Sequence, residues 1–153
     1  MNREIFQRIA EIRRREASAL LTAGQYPGAY YLAGYAVECA LKSCVAKQVR
    51  RYDFPDRKLA NEAFTHDLEK LMKLSGLAPE LRKEMERNKP LELNWAILKD
   101  WSESARYEIG ITENQARDLY SACTARRNGV LNWIKRRWWK RILQKNLLMK
   151  GPG

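Results

Sequence analysis

The spacing of apolar residues predicts helices along the whole chain. Over residues 2–22, apolar side chains recur every three or four positions between charged ones, which is the spacing of one helical face. Gly24 indicates the end of this helix, and Pro27 suits the first turn of a second helix over 27–49, because its missing N–H is not needed there. No segment shows the alternation of a strand. The pattern therefore predicts an all-α fold, an antiparallel up-and-down bundle of four or five helices.

The second predicted helix is apolar around most of its circumference, which is typical of a helix at the centre of a bundle. Its two apolar stripes differ in size, and the smaller side chains permit close approach of a neighbouring helix. The small stripe is Ala29, Ala33, Ala36, Ala40 and Cys44, and the bulkier stripe is Val37, Leu41 and Val45. Between the stripes lies a polar and aromatic edge formed by Tyr31, Tyr35, Glu38 and Lys42.

Shorter helices are predicted in the middle of the chain. Thr65 is the expected N-cap of a third helix, with His66 and Asp67 in its first turn. Pro79 and Pro90 each suit the first turn of a further short helix. Together these signals divide the middle of the chain into short helical segments.

A last long helix is predicted to open at Thr112, where Gln115 completes a capping box, and to continue to residue 140 or beyond. Its apolar seam is Ala116, Leu119, Tyr120, Cys123, Val130, Leu131, Ile134 and Trp138. Arg127 interrupts this seam, and two interpretations are open. Either its planar guanidinium faces a polar cleft and binds phosphate or nucleotide, or the helix rotates or ends near residues 128–129 and leaves Arg127 in solvent.

Other candidate residues are scattered along the chain and also allow two interpretations. His66 lies at a predicted helix N-terminus, where free N–H groups suit an anion and its ring could supply a proton, but it could equally belong to a capping cluster. Glu38, Arg106 and Tyr107 could join it in a polar site or form structural ion pairs and hydrogen bonds.

The positive charge is concentrated at the C-terminal end. The net charge is +11, and after Asp118 there are nine basic residues and no acidic one, so residues 1–118 carry only +2. Tryptophans interleave with this basic run, a mixture that suits nucleic acid more than a membrane surface or an acidic protein. The plainer alternative is a helix whose tryptophans pack on the bundle while its Lys and Arg are solvated. We expect residues 1–140 to form the bundle and 141–153 a partly disordered basic extension.

The sequence lacks the motifs that several classes of enzyme require. It has one His, three Cys without a CxxC pair, and no GxGxxG, Walker or HExxH motif, so we expect neither a metal nor a cofactor. Classical hydrolase and dehydrogenase functions are excluded on the same ground. The charged N-terminus lacks the apolar region of a secretory signal, and no run is long enough to span a membrane. A cytoplasmic protein with reduced thiols is the expectation.

Four runs resemble the HEPN domain (higher eukaryotes and prokaryotes nucleotide-binding), in particular its bacterial members. They are Gly24–Ser43 (GQYPGAYYLAGYAVECALKS), Thr65–Leu71 (THDLEKL), Arg106–Glu108 (RYE) and Asn128–Lys135 (NGVLNWIK). The resemblance implies an up-and-down bundle, often a homodimer built around the last helices. Many HEPN domains are metal-independent ribonucleases, or toxins paired with a minimal nucleotidyltransferase. Their catalytic motif is an Arg followed four to six residues later by a His.

In this chain the HEPN motif is broken. Arg127 matches its Arg, but Asn132 stands five residues later, and residues 128–153 contain no His. Asn cannot shuttle a proton at neutral pH. The leading hypothesis is therefore a nucleotide- or RNA-binding module without ribonuclease activity, possible partner of a nucleotidyltransferase. Its expected binding residues are Arg127, Asn128, Asn132, Arg106, Lys135, Arg136 and Arg137.

Two other functions are also consistent with the sequence. One is an active ribonuclease in which Arg127 works with His66, Glu38 or Tyr107. The other is a structural protein that docks on a partner through its basic tail.

Overall fold

The computed structural model describes residues 2–51 and 61–138, and every regular element in those ranges is helical. The helices are α1 (Arg3–Thr22), α2 (Tyr26–Arg51), α3 (Leu68–Leu74), α4 (Ala78–Met85), α5 (Lys89–Lys99), α6 (Glu113–Thr124) and α7 (130–138), with a 3₁₀ helix at Glu103–Tyr107. The predicted all-α class is confirmed. None of the described helices is both long and apolar enough to cross a membrane.

Helices α1 and α2 form a tight hairpin. The side chain of Asn2 caps α1 by accepting a hydrogen bond from the N–H of Ile5 at 3.0 Å. Gly24 adopts a φ of +74°, a left-handed conformation that costs little without a Cβ, and the chain reverses there into α2. The whole small stripe of α2 is buried, as are Ala10 and Ala17 of α1. Small side chains on both helices let the two backbones approach closely.

Helix α2 is the centre of the bundle, as its pattern predicts. α1, α3, α6 and the 3₁₀ helix all pack against it. The approach is closest at Gly34, where a Cβ would stand 2.2 Å from the ring of Trp101. The ring of Trp101 is buried and also stacks on Tyr31. This contact holds the segment after α5 on the polar edge of α2.

The start of α3 differs from the prediction. The N-cap is Asp67, whose carboxylate accepts a hydrogen bond from the N–H of Lys70 at 3.1 Å. Thr65 was expected in this role, but its hydroxyl accepts instead from the N–H of Asp67 at 3.1 Å. His66 therefore lies before the helix rather than in its first turn. The helix begins at Leu68, and its inward residues Leu68, Leu71 and Met72 are buried as expected.

The predicted long last helix is two helices. Its capping box at Thr112 and Gln115 is present, but α6 ends at Thr124 and a turn over 125–129 precedes α7. The side chain of Asn132 donates hydrogen bonds to the carbonyls of Thr124 and Ala125, at 3.1 and 3.0 Å, which satisfies the end of α6. The prediction was wrong because apolar periodicity runs on across the break. The helix ends before the predicted residues 128–129, and Arg127 is exposed to solvent.

The three cysteines are buried and form no disulfide with one another. Burial raises the pKa of the Cys39 thiol to about 11, and burial also raises the pKa of Cys123. These thiols are small core residues rather than nucleophiles. Residues 139–153 lie outside the described residues, so the boundary at 140, the basic extension and its docking role stay predictions.

Candidate functional site

His66 joins two elements of the bundle through its ring nitrogens. Nδ1 lies 2.8 Å from Oε1 of Glu38 on α2, and Nε2 lies 2.8 Å from Oε2 of Glu103 on the 3₁₀ helix. The ring is 44% exposed. Because carboxylates only accept, the imidazolium form satisfies both contacts at once, whereas a neutral ring donates to one of them. The only His of the chain is therefore held between two carboxylates.

Glu38 is a buried carboxylate with two partners. Its side chain is 1% exposed, and a charge in that position is costly unless it is paired. His66 takes one carboxylate oxygen, and Nζ of Lys42 lies 3.6 Å from the other. Lys42 is one turn further along α2, so the predicted polar edge of this helix supplies both residues. Glu38 fixes the orientation of the His66 ring from inside the bundle.

The 3₁₀ helix supplies the contact on the outer side of the His66 ring. Oε1 of Glu103 accepts from the guanidinium of Arg106 at 2.8 Å, while its other oxygen faces His66. The Arg106 guanidinium also stacks 4.7 Å from the centre of the Tyr107 ring, which is largely exposed. We call Glu38, His66, Glu103 and Arg106 the His66 cluster. Glu103 was missed in the sequence, although its position three residues before Arg106 is a recognisable ion-pair spacing.

Aromatic rings line the His66 cluster. Tyr31 stacks between Tyr35 and Trp101, with ring centroids 5.8 and 6.0 Å away. Burial raises the pKa of Tyr35 to about 12 and also raises the pKa of Tyr31. Both phenols therefore keep their protons at neutral pH. They can take part in hydrogen bonds but cannot act as general bases there.

Arg127 lies in the turn between α6 and α7, and its neighbour Asn128 anchors that turn. The side-chain oxygen of Asn128 accepts from the amide of Asn88 at 2.9 Å, and its carbonyl accepts from the amide of Asn94 at 2.8 Å. The turn is thus tied to α5 and to the residue before it. Arg127 itself is exposed, with no ion pair among the described residues.

Arg136 extends the exposed positive surface onto α7. Its guanidinium donates to the carbonyl of Arg127 at 2.9 Å, which brings α7 and the turn together. Arg126 is also exposed and, within the described ranges, forms no ion pair. We call Arg126, Arg127 and Arg136 the arginine surface. All three side chains are exposed, and none of them forms an ion pair in the part of the chain that the structure describes.

Lys135 and Arg137 have protein partners. Lys135 forms an ion pair with Glu11 of α1. Arg137 is 8% exposed, pairs with Glu80 at 2.9 Å and Glu84 at 3.1 Å, and lies 3.5 Å above the ring of Trp133. Three successive basic residues of α7 therefore point in three directions.

The structure brings the sequence candidates into two groups. Glu38, His66, Arg106 and Tyr107 come together at the His66 cluster, while Arg127, Asn128, Asn132 and Arg136 come together at the α6–α7 turn. No hydrogen bond or ion pair joins the two groups within the described residues. In the same ranges, no three His, Cys, Asp or Glu side chains are grouped so that they could hold a metal ion.

Comparison with known proteins gives one family. A family model described as HEPN domain matches residues 4–138. The match takes in both the His66 cluster and the α6–α7 turn. No curated protein and no solved structure matches the chain.

Proposed function

This chain belongs to the HEPN domain family, and from that premise we propose that it is an RNA- or nucleotide-binding module without the ribonuclease activity found in that family. The observation that carries the proposal is the arginine surface, whose three exposed arginines form no ion pair among the described residues. A free guanidinium offers a planar fork of donors that fits a phosphate. A nucleic-acid backbone presents such phosphates in a row.

The turn that carries Arg127 is held in place before any ligand arrives. Asn128 is bonded on both its side chain and its carbonyl, and the Asn132 side chain closes the end of α6. A backbone fixed in this way loses little further entropy on binding. The sequence alone assigned Asn128 and Asn132 to ligand contact; these hydrogen bonds favour a supporting role for both.

The absence of catalysis is supported by the residue that stands where the family resemblance implies a catalytic His. Asn132 stands there, and its amide nitrogen donates to two backbone carbonyls. A side-chain amide does not titrate near neutral pH, so it cannot serve as a general acid or base. In addition, His66 has no described contact with Arg127, and both nitrogens of its ring face carboxylates.

RNA binding should depend on the arginine surface. We expect the double variant Arg126→Ala/Arg127→Ala to weaken binding of a labelled single-stranded oligoribonucleotide by about 10- to 100-fold at low salt, because two phosphate contacts are lost. Fluorescence anisotropy measures this change. The matched control is Arg15→Ala/Arg117→Ala, which removes the same charge from exposed positions of α1 and α6.

Salt dependence distinguishes a local contact from general attraction. The slope of log Kd against log salt should fall by about 0.7 for each phosphate contact removed from a single strand. An equal loss of affinity in both double variants would show that binding depends on net charge alone. Failure of the wild-type protein to bind RNA or nucleotides at low salt would remove the basis of the proposal.

A metal-independent ribonuclease is the second candidate, and one observation favours it. The buried Glu38 holds Nδ1 of His66, so the ring is oriented with Nε2 toward the outside, as in a carboxylate-assisted general base. Against it, Glu103 occupies Nε2. A substrate would have to displace Glu103 before the ring could take its proton.

We expect no cleavage of labelled RNA by the wild-type protein with EDTA present. The same preparation should be compared with Arg127→Ala and His66→Ala. Cleavage by the wild type that is lost in both variants would establish the enzyme. Cleavage that persists unchanged in both would indicate a contaminating nuclease.

The family resemblance also motivates two proposals about partners. One is a homodimer, and the other is a minimal nucleotidyltransferase that forms a toxin–antitoxin-type pair with this chain. Sedimentation of the purified protein tests the first, and co-purification with a nucleotidyltransferase encoded nearby tests the second.

A further inference from the structure

We propose that His66 and Arg106 form a phosphate-binding site and that the carboxylate of Glu103 occupies it in place of the ligand. The ligand class is a phosphate monoester, free or carried by a mononucleotide. This site is separate from the arginine surface and does not depend on the function proposed for that surface. The proposal rests on the geometry of one carboxylate.

The two carboxylate oxygens of Glu103 each accept a hydrogen bond, as two oxygens of a bound phosphate would. Oε2 lies 2.8 Å from Nε2 of His66, and Oε1 lies 2.8 Å from the guanidinium of Arg106. Two donors from separate segments thus converge on a single anion. The guanidinium of Arg106 also lies close enough to the phenol of Tyr31 to influence its pKa. A phosphate can accept the same two bonds and has further oxygens for neighbouring donors.

The two carboxylates of the cluster differ in how easily they can leave. Glu38 is 1% exposed and lies within the long helix α2, so it remains beside Nδ1 of His66. Glu103 is 26% exposed and lies in the first turn of a five-residue 3₁₀ helix whose N-cap side chain makes no capping hydrogen bond to the helix backbone. Short 3₁₀ helices have poorer hydrogen-bond geometry than α-helices. Glu103 is the exchangeable partner, and Glu38 is the permanent one.

The charges left after Glu103 moves favour an anion. With Glu103 gone, the positive charges of Arg106, Lys42 and the imidazolium form of His66 are balanced in the cluster by the one remaining carboxylate, that of Glu38. His66 and Arg106 are nearly half exposed, so a phosphate can reach both from solvent. In the present arrangement the ligand must compete with Glu103, which predicts weak binding by the wild-type protein.

Removing the competing carboxylate should strengthen phosphate binding. We expect Glu103→Gln to bind inorganic phosphate and AMP about tenfold more tightly than wild type, because it removes the negative charge and keeps the side-chain shape. Glu103→Ala also empties the space, and it guards against a glutamine that keeps the contact. The matched control is Glu113→Gln, which removes an exposed carboxylate paired with Arg117 on α6 and should leave the affinity unchanged.

NMR of the histidine ring gives a readout specific to this site. Because the chain has one His, labelling that residue type reports on His66 alone. Its ring resonances should move when phosphate or AMP is added to Glu103→Gln, and adenosine without phosphate should not move them. Adding Arg106→Ala to Glu103→Gln should abolish the gain.

Two outcomes would overturn the proposal. The first is a folded Glu103→Gln and a folded Glu103→Ala whose phosphate affinity equals that of wild type. The second is phosphate binding that leaves the His66 resonances unmoved, which would place the anion elsewhere, for example at the arginine surface. Neither outcome depends on RNA binding, so the two proposals can fail independently.

Discussion

Replacing Gly129 with alanine is expected to lower the free energy of unfolding by about 3–4 kcal/mol. A Cβ at this position would lie 2.5 Å from the nitrogen of Ala125, 2.6 Å from its carbonyl oxygen and 2.6 Å from the carbonyl oxygen of Cys123. All three are backbone atoms, so no side-chain rotation can relieve the overlap. The α6–α7 turn would have to open, and with it the hydrogen bond from Gly129 to Ala125.

Urea denaturation followed by far-ultraviolet circular dichroism measures this change. The matched control is Gly110→Ala, because a Cβ at Gly110 would meet no atom within 4 Å. That variant should stay within about 0.5 kcal/mol of wild type. Equal stability of the two variants would show that the turn is not as tightly packed as described.

Replacing Arg137 with alanine is expected to cost about 3 kcal/mol of stability. The substitution removes a buried guanidinium that contacts four groups: the carboxylates of Glu80 and Glu84, and both the ring and the backbone carbonyl of Trp133. It also leaves a void above Trp133, which is fully buried. The contacts of Arg137 connect α7 to α4. Without them, the C-terminal part of the bundle should unfold less cooperatively with the rest.

The neighbouring residue provides the control for Arg137. Arg136→Ala removes the same side chain from an exposed position and should change stability by less than about 0.5 kcal/mol. RNA affinity should show the reverse order, since Arg136 belongs to the arginine surface. Equal destabilisation by both substitutions in urea denaturation would contradict the assignment of one arginine to the core and one to the surface.

Most of the fold could be predicted because its signals are local. The end of α1 at Gly24, the prolines that begin α2, α4 and α5, and the capping box of α6 act through the backbone of a few adjacent residues. The central position of α2 could be predicted because this helix is apolar around most of its circumference. The break between α6 and α7 could not be predicted in the same way, because apolar spacing continues through it. Hydrogen bonds from Asn132 and the close approach at Gly129 create it.

The candidate site was predictable in its composition but not in its connections. The chemistry of Glu38, His66 and Arg106 singled them out, and the fold brings them together. The run Lys135–Arg137 shows the limit of this approach. Residues adjacent in a helix are rotated by roughly 100°, so one faces Glu11, one the solvent and one the core. The sequence shows three equal charges, and only the packing tells them apart.

The close pairing of α1 and α2 also determines where this chain can vary. Ala10 and Ala17 on one helix, and Ala33, Ala36 and Ala40 on the other, are buried, and a close-packed interior has little space for a larger side chain. The outward face of α1 carries Arg8, Ile12 and Arg15, which have solvent in front of them. Related sequences that keep this hairpin can diverge freely on that outward face, whereas the inner positions admit little beyond Gly, Ala or Ser.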